Sequence, residues 1–386
     1  MNETPAPLIQ DEFTGEPPTK RVLAHLQAKR EEGKKIAGIY CGYAPTELIR
    51  AMGIVPASLC AFSNATIEAA EAVLPVNLCP LIKSSFGFVI TDTCPFYGIS
   101  DAVIGETTCD GKKKMFELIG ERKPTHIMDL PQLPDEEEAL NNWTIMIRKL
   151  QKFLERTFNA YATDDEIEAA IKDTNHKNAM MRTVIDYAAL NPPVVGWRDL
   201  YDLCFLSHGV TGKEMEPVLI EAKRKLEERK AAGYTYGPSG APRILVTGCP
   251  VGGDAQKVFN IIEEGGGTIV ALDSCSGFKP FATDIEEKTG DPMRAIAARS
   301  LKIPCSCMTP NMRRLTEITR IIERFKPDAV VDVVLQACHS YNIESYKVGE
   351  HVQKNHGLPF LKIVTDFSQS DVGQIRTRVE ALLESC

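Results

Sequence analysis

The sequence has no apolar run approaching the roughly 18 residues that cross a membrane. Its first ten residues, MNETPAPLIQ, lack the basic and apolar stretches of a secretory signal. These absences predict a cytoplasmic protein with no membrane partner. An excess of positive charge is missing too: 44 Lys and Arg against 52 Asp and Glu give a net charge of -8. A nucleic-acid partner would favour a basic face, so none is expected. The run Lys112, Lys113, Lys114 reads as a solvated helix start. Nucleotide motifs also fall short. Residues 209–214, GVTGKE, put two residues rather than four between the glycines and end in Glu where a P-loop needs Ser or Thr, so this chain is not expected to hydrolyse ATP. Residues 248–254, GCPVGGD, lack the G-x-G-x-x-G spacing; their glycines read as room for backbone to approach a bulky cofactor.

Cysteine is what the chain has in quantity: 12 in 386 residues. In a reducing compartment these favour metal binding or catalysis over disulfides. They also recur in order. In the first half, apolar runs at 35–40, 54–59, 76–78 and 102–108 end at Cys41, Cys60, Cys79 and Cys109. In the second half, runs at 244–248, 268–274, 302–304 and 329–337 end at Cys249, Cys275, the pair Cys305 and Cys307, and Cys338. Both series close with a further strand and an Asp, at 125–129 and 360–366. The spacings are 19, 19 and 30 against 26, 30 and 33, so the halves share order and context more than length.

Runs that alternate with helical stretches predict an α/β fold of two similar doubly wound parallel-sheet domains, joined by a helical segment. The expected boundaries are 1–134 for an N-terminal arm and first α/β domain, 135–240 for a helical connecting region, and 241–386 for the second α/β domain. The Pro-rich residues 1–20 read as a loose arm or a strap on a partner subunit. Parallel sheets bind ligands beyond the carboxyl ends of their strands. Two such domains face to face would gather thiols in one cleft, the place for a metal cluster.

Cys79, Cys94 and Cys109 stand 15 residues apart, which suits thiolates from different strands better than the close pairs of structural zinc. Cys79 and Cys109, at apparent strand ends, take precedence over Cys94. In Cys305-Ser306-Cys307 both thiols share a face if the chain is extended, with room for one of them to reach a given iron. His339, next to Cys338, is the candidate proton donor, with a structural hydrogen bond as its bland alternative. Lys83, Ser84 and Ser85 read equally well as donors to a cluster or substrate and as structural groups. Cys204 and Cys386 read as free thiols, and the surroundings of Cys60 are as bland.

The segments GIYCGYAPTELIRAMGIVP (38–56), LCPLIKSSFG (78–87), ETTCDGKKKM (106–115), IPCSCMTPN (303–311) and LQACHSYNIES (335–345) carry a resemblance that spans most of the chain. The protein resembles the 2-hydroxyacyl-CoA dehydratase and benzoyl-CoA reductase family, and within it the double-cubane cluster branch. The resemblance implies an oxygen-sensitive iron-sulfur cluster in the cleft, a homodimer, and a separate ATP-hydrolysing iron-sulfur reductase that donates low-potential electrons. The family's common cluster, one 4Fe-4S, takes three cysteines, which by motif fall on Cys79, Cys109 and Cys338. The double-cubane branch carries 8Fe-9S and needs six, adding Cys41, Cys275 and one of Cys305 or Cys307, with Cys249 or Cys94 as replacements. The activity this implies is reduction of small molecules such as acetylene, hydrazine or azide. Three rivals stand beside it. One is a 2-hydroxyacyl-CoA dehydratase or aryl-CoA reductase subunit with a single 4Fe-4S cluster and a ketyl-radical mechanism. The second is a non-catalytic electron carrier or cluster scaffold. The third is a structural-zinc protein.

Overall fold

The structure is a computed structural model that describes residues 18–386. Most of the arm expected over residues 1–20 therefore lies outside the described residues. Helix α1 (Pro18–Glu31) leads into β1 (Ile36–Ile39), α2 (Thr46–Ala51), β2 (Val55–Ser58), α3 (Ile67–Glu71), α4 (Pro80–Ile90), α5 (Pro95–Ile99), β3 (Ala102–Glu106), α6 (Asp110–Gly120) and β4 (Thr125–Met128). Four helices follow: α7 (Glu137–Phe158), α8 (Asp164–Ile185), α9 (Trp197–Gly209) and α10 (Gly212–Ala231). The second unit runs β5 (Arg243–Gly248), α11 (Lys257–Glu264), β6 (Thr268–Asp273), α12 (Pro292–Ser300), α13 (Met312–Phe325), β7 (Ala329–Leu335), α14 (His339–His356), β8 (Phe360–Thr365) and α15 (Val372–Leu383).

The two sheets are topological copies. Their orders are β2-β1-β3-β4 and β6-β5-β7-β8, with every pairing parallel. The expected pair of doubly wound α/β domains is present. Strands β5, β6 and β7 are buried along their whole length, as continuous Val, Ile and Leu runs require when helices cover both faces. In the first sheet, Ile36 and Val103 join one core while Ala37, Ile39 and Ile104 join another that is centred on Trp143 of α7.

The apolar segments at 76–78 and 302–304 are turns, not strands. Three residues beside Pro75 or containing Pro304 give too little ladder, because proline withholds a donor. Cys79 instead precedes Pro80 at the start of α4, the helix position that tolerates proline best. The 209–214 motif resolves as a helix cap. Thr211 Oγ1 accepts the Glu214 N–H at 3.2 Å, and the Glu214 carboxylate accepts the Thr211 N–H at 2.9 Å, a reciprocal capping box.

The connecting helices touch both units: α7 packs on β4 and α12, α8 on α2 and α12, and α9 on β2 and β6. Backbone hydrogen bonds add to this, from Thr309 N–H to Gln132 O and from Asp254 N–H to Phe62 O, both 2.8 Å. Among the described residues, no helix is long and apolar enough to cross a membrane.

The glycines of 248–254 do not leave room for a cofactor. A side chain at Gly252 would meet Tyr201 Oη at 2.7 Å and the Phe62 ring at 2.8 Å, and one at Gly253 would strike Phe62 O. Gly248, at φ +117°, lies against Val333 O and ends β5 immediately before Cys249. Gly248→Ala combines left-handed strain with that collision, and we expect a loss of about 1–3 kcal/mol or more, measured by urea unfolding.

Candidate functional site

A cavity of ≈ 920 Å³ opens between the two units and is lined by residues of both. Eight cysteines face it: Cys41, Cys79, Cys109, Cys249, Cys275, Cys305, Cys307 and Cys338. The seven singled out from the sequence come together here, and Cys249 joins them. Cys60, Cys94, Cys204 and Cys386 do not line it. Cys60 follows β2 as Cys275 follows β6, yet its Sγ donates to Tyr40 O at 3.0 Å. Cys94 Sγ accepts the Tyr97 N–H at 3.3 Å.

Topology places these thiols. In a sheet of this order the crevice forms where the chain's direction of winding reverses, between the first and third strands of each unit. Cys41 and Cys109 follow β1 and β3, and Cys249 and Cys338 follow β5 and β7, so each reversal is flanked by two thiols. Cys79 enters from the start of α4, and Cys305 and Cys307 from the turn between α12 and α13. Ala337 adopts φ +56° immediately before Cys338. That conformation costs a non-glycine residue roughly 1–3 kcal/mol, and it turns the chain from β7 into α14 with the thiol on the cavity.

The thiols form two groups. In one, Cys338 interacts with both Cys79 and Cys249; its own hydrogen-bonding interaction with Cys338, and then burial, push the Cys79 thiol well above its usual range. In the other, Cys305 is held below the ordinary thiol range, first by its hydrogen-bonding interaction with Cys307 and further by Lys279 and Arg314, while Cys307 is raised. Cys41, raised by burial, and Cys275, raised by burial to about 11, complete this second group. Backbone donors already meet some sulfurs: Leu335 N–H reaches Cys249 Sγ at 3.3 Å and Lys112 N–H reaches Cys109 Sγ at 3.4 Å. Such donors stabilise sulfur that carries negative charge.

All 12 cysteines are unpaired in disulfides. Among the described residues, no three Cys, His, Asp or Glu side chains converge as a single-ion site requires. Soft thiols spread around the walls of one cavity fit a polyatomic iron-sulfur cluster, whose ligands are separated by the body of the cluster, better than one zinc ion.

Charged neighbours depart from the sequence reading. Lys112 is half-buried on the cavity wall; only Lys113 and Lys114 of that run are exposed. Lys112 Nζ donates to Tyr40 O at 3.3 Å. Burial works against its charge, but Cys41, Cys60, Glu106 and Cys109 hold its pKa above the usual lysine value. Glu106, at the carboxyl end of β3, is wholly buried, and neither carboxylate oxygen has a hydrogen-bond partner. Burial raises its pKa to about 8 against the pull of Lys112. Lys83, Ser84 and Ser85 turn out to be structural. Lys83 Nζ donates to Glu71 and to Val76 O at 2.7 Å, Ser84 Oγ accepts the Ser63 N–H, and Ser85 Oγ accepts the Ala61 N–H. His339 is exposed on the cavity wall. Sequence reasoning missed Lys279 and Arg314, because isolated basic residues in Lys-Pro and Arg-Arg contexts read as surface. Both are buried.

A family profile described as 2-hydroxyglutaryl-CoA dehydratase, D-component, matches residues 41–386. The chain is 41% identical over 383 residues to a putative dehydratase subunit, YjiM, of Escherichia coli (strain K12), covering 99% of this chain and 98% of that protein. It is 25% identical over 361 residues to the lactoyl-CoA dehydratase subunit beta of Anaerotignum propionicum, covering 92% and 93%. It is 20% identical over 375 residues to the (R)-2-hydroxyglutaryl-CoA dehydratase subunit beta of Acidaminococcus fermentans, covering 95% of each.

The buried Glu106 sets a pH dependence. Its folded-state pKa of about 8 lies above the ordinary 4.5, so the folded protein keeps a proton that the unfolded chain releases. This contribution is complete below pH 4.5 and is lost as pH rises through about 8, at no more than about 1.4 kcal/mol per pH unit. Urea unfolding of the iron-free protein across that window should show the decline, and Glu106→Gln should flatten it.

Proposed function

The chain belongs to the 2-hydroxyglutaryl-CoA dehydratase D-component family, and from that premise we propose that it is an iron-sulfur enzyme subunit that reduces small unsaturated molecules at a double-cubane 8Fe-9S cluster. The observation that carries this reading is the number of thiols on one cavity. A single 4Fe-4S cluster of the kind the resemblance implies needs three cysteines and a double cubane needs six; eight line the cavity here, seven in the two groups above and Cys109 under the influence of Cys79 in the first.

In this reading Cys79, Cys109 and Cys338 hold one half, with Cys249 beside them. Cys41, Cys275 and one of Cys305 or Cys307 hold the other. When bound, such a cluster supplies low-potential electrons and an iron or sulfide against which a small molecule can sit. The chain's own residues do the rest. The strand ends and helix starts wall the thiols off from bulk water on the inner side. Lys112, between Cys41 and Cys109, offsets the negative charge that ligating thiolates bring. His339, exposed on the same wall, is placed to pass a proton to a bound molecule. In this reading ATP hydrolysis belongs to a separate iron-sulfur reductase that serves as electron donor, in keeping with residues 211–214 being a helix cap and not a phosphate loop. The protein works as a homodimer in the cytoplasm.

A second reading is a 2-hydroxyacyl-CoA dehydratase subunit with one 4Fe-4S cluster. It is favoured by the relatives, two of which are named as subunits beta of CoA-thioester dehydratases. Iron analysis after anaerobic purification separates the two: about eight irons per chain for the double cubane, about four for the single cluster. We expect about eight, and acetylene reduction that requires both the reductase and ATP. Cys79→Ser, Cys109→Ser and Cys338→Ser should each lose iron and the associated visible absorption, whereas Cys94→Ser and Cys204→Ser should retain both. Native iron in all three cavity variants would refute the ligand assignment.

A further inference from the structure

Behind the Cys275, Cys305 and Cys307 wall lies a buried charged group that the proposed chemistry leaves unused. Lys279 and Arg314 are 6% and 1% exposed. They share one acid: Lys279 Nζ is 3.7 Å from Asp273 Oδ1, and Arg314 Nη1 is 3.6 Å from Asp273 Oδ2. Arg314 also meets Glu344 on the cavity wall, Nε to Oε2 at 3.0 Å, and Asp332 acts on it; burial raises both of those carboxyls towards their neutral forms. Thr247 Oγ1 donates to Asp273 Oδ2 at 2.7 Å and accepts from Arg314 Nη2 at 2.9 Å. The group is joined directly to the cysteine loops. Lys279 Nζ donates to Pro304 O at 3.4 Å, one residue before Cys305, and Asp273 stands two residues before Cys275. Both cations also lie over the ring of Tyr341, a cavity residue, at 5.9 and 5.1 Å.

This group sits on one side of the cavity, with Lys279 nearest the cysteine loop and Glu344 facing Cys305 as its counter-charge. Lys279 and Arg314 both act on Cys305, and at Cys275 Lys279 outweighs Asp273. At Cys79 and Cys338 the leading influences are other thiols, burial and backbone N–H groups. Lys112 does not cancel the asymmetry, because it faces Cys41 of one group and Cys109 of the other.

We propose that Lys279 and Arg314 make the two halves of the site electrically unequal, holding the half bound by Cys275 and Cys305 or Cys307 at the higher reduction potential, so that it takes the first electron. This rests on the double-cubane reading. One electron from the donor reductase adds one negative charge to that half, with no bond made or broken. Fixed cations in a poorly screened interior stabilise the added charge.

Anaerobic redox titration of the iron-loaded full chain, followed by electron paramagnetic resonance, tests the proposal. The unaltered protein should show two reduction steps. Lys279→Met keeps the aliphatic stem and removes the charge. It should retain iron and lower the higher-potential step so that the reduced-to-oxidised ratio at fixed potential falls at least tenfold, equivalent to about 59 mV for one electron, with the other step moving less. Lys279→Arg should restore that step, and Asp273→Asn should move it upward. Unchanged steps in an iron-replete Lys279→Met protein, or equal shifts of both steps, would overturn the inference while leaving the cluster intact. If Lys279→Met fails to load iron, the sign of the Asp273→Asn shift decides. An unaltered protein with about four irons, or none, removes the double-cubane reading itself and this inference with it.

Discussion

Everything at this site depends on two parallel sheets of the same strand order pointing their carboxyl ends into one cleft. A parallel strand must be re-entered from its amino end, so its outgoing turns all collect on one side, and where the winding reverses those turns part and leave a crevice. Two copies of that arrangement bring Cys41 and Cys109 opposite Cys249 and Cys338. Residues nearly 300 positions apart in sequence thereby line one cavity. The helices α7, α8 and α9 are the rigid bracket that keeps the two crevices facing, since each packs on elements of both units.

Concentrating thiols in this way has an electrostatic cost. Burial raises Cys41, Cys109 and Cys275 above the ordinary thiol range, and the neighbouring thiols Cys338 and Cys249, followed by burial, raise Cys79 and Cys338 respectively. The chain offsets that cost with cations set into the cavity wall and behind it. Lys112 serves the region between the two groups, and Lys279 with Arg314 serves the second unit. Glu106 stands against this pattern, a carboxyl with no hydrogen-bond partner beside a cationic amine. It acts on Cys41 at the cavity and on Cys60 behind it, which links the protonation of the first unit to the charge of the cavity.

Much of the fold is readable along the chain because buried parallel strands announce themselves as runs dominated by Val, Ile and Leu, as at 244–246 and at 329–335, where Asp332 is the one interruption. The two misread runs, 76–78 and 302–304, are informative for the same reason: apolar character alone does not make a strand when proline interrupts the ladder and the run is three residues long. The cysteines sort differently. Cys60 and Cys275 follow equivalent strands, yet one thiol turns to a backbone carbonyl and the other to the cavity. A rotamer choice of that kind leaves no trace in spacing. Lys83, Ser84 and Ser85 lie close in sequence to Cys79, but their side chains are taken up by Glu71, Val76 O and the backbone of residues 61–63.

The sequence by itself determines the alternation of strands and helices in two similar halves, the recurrence of thiols after apolar runs and membership of an α/β class, because each of these follows from local periodicity and from turn residues. The tertiary structure alone decides which thiols share a wall, that Cys249 joins them, that Lys279 and Arg314 are buried charges, and that Lys112 is a half-buried one. Those outcomes depend on how two sheets are set against each other, and a charge is buried or solvated according to neighbours contributed by distant segments, about which its own stretch of chain carries no information.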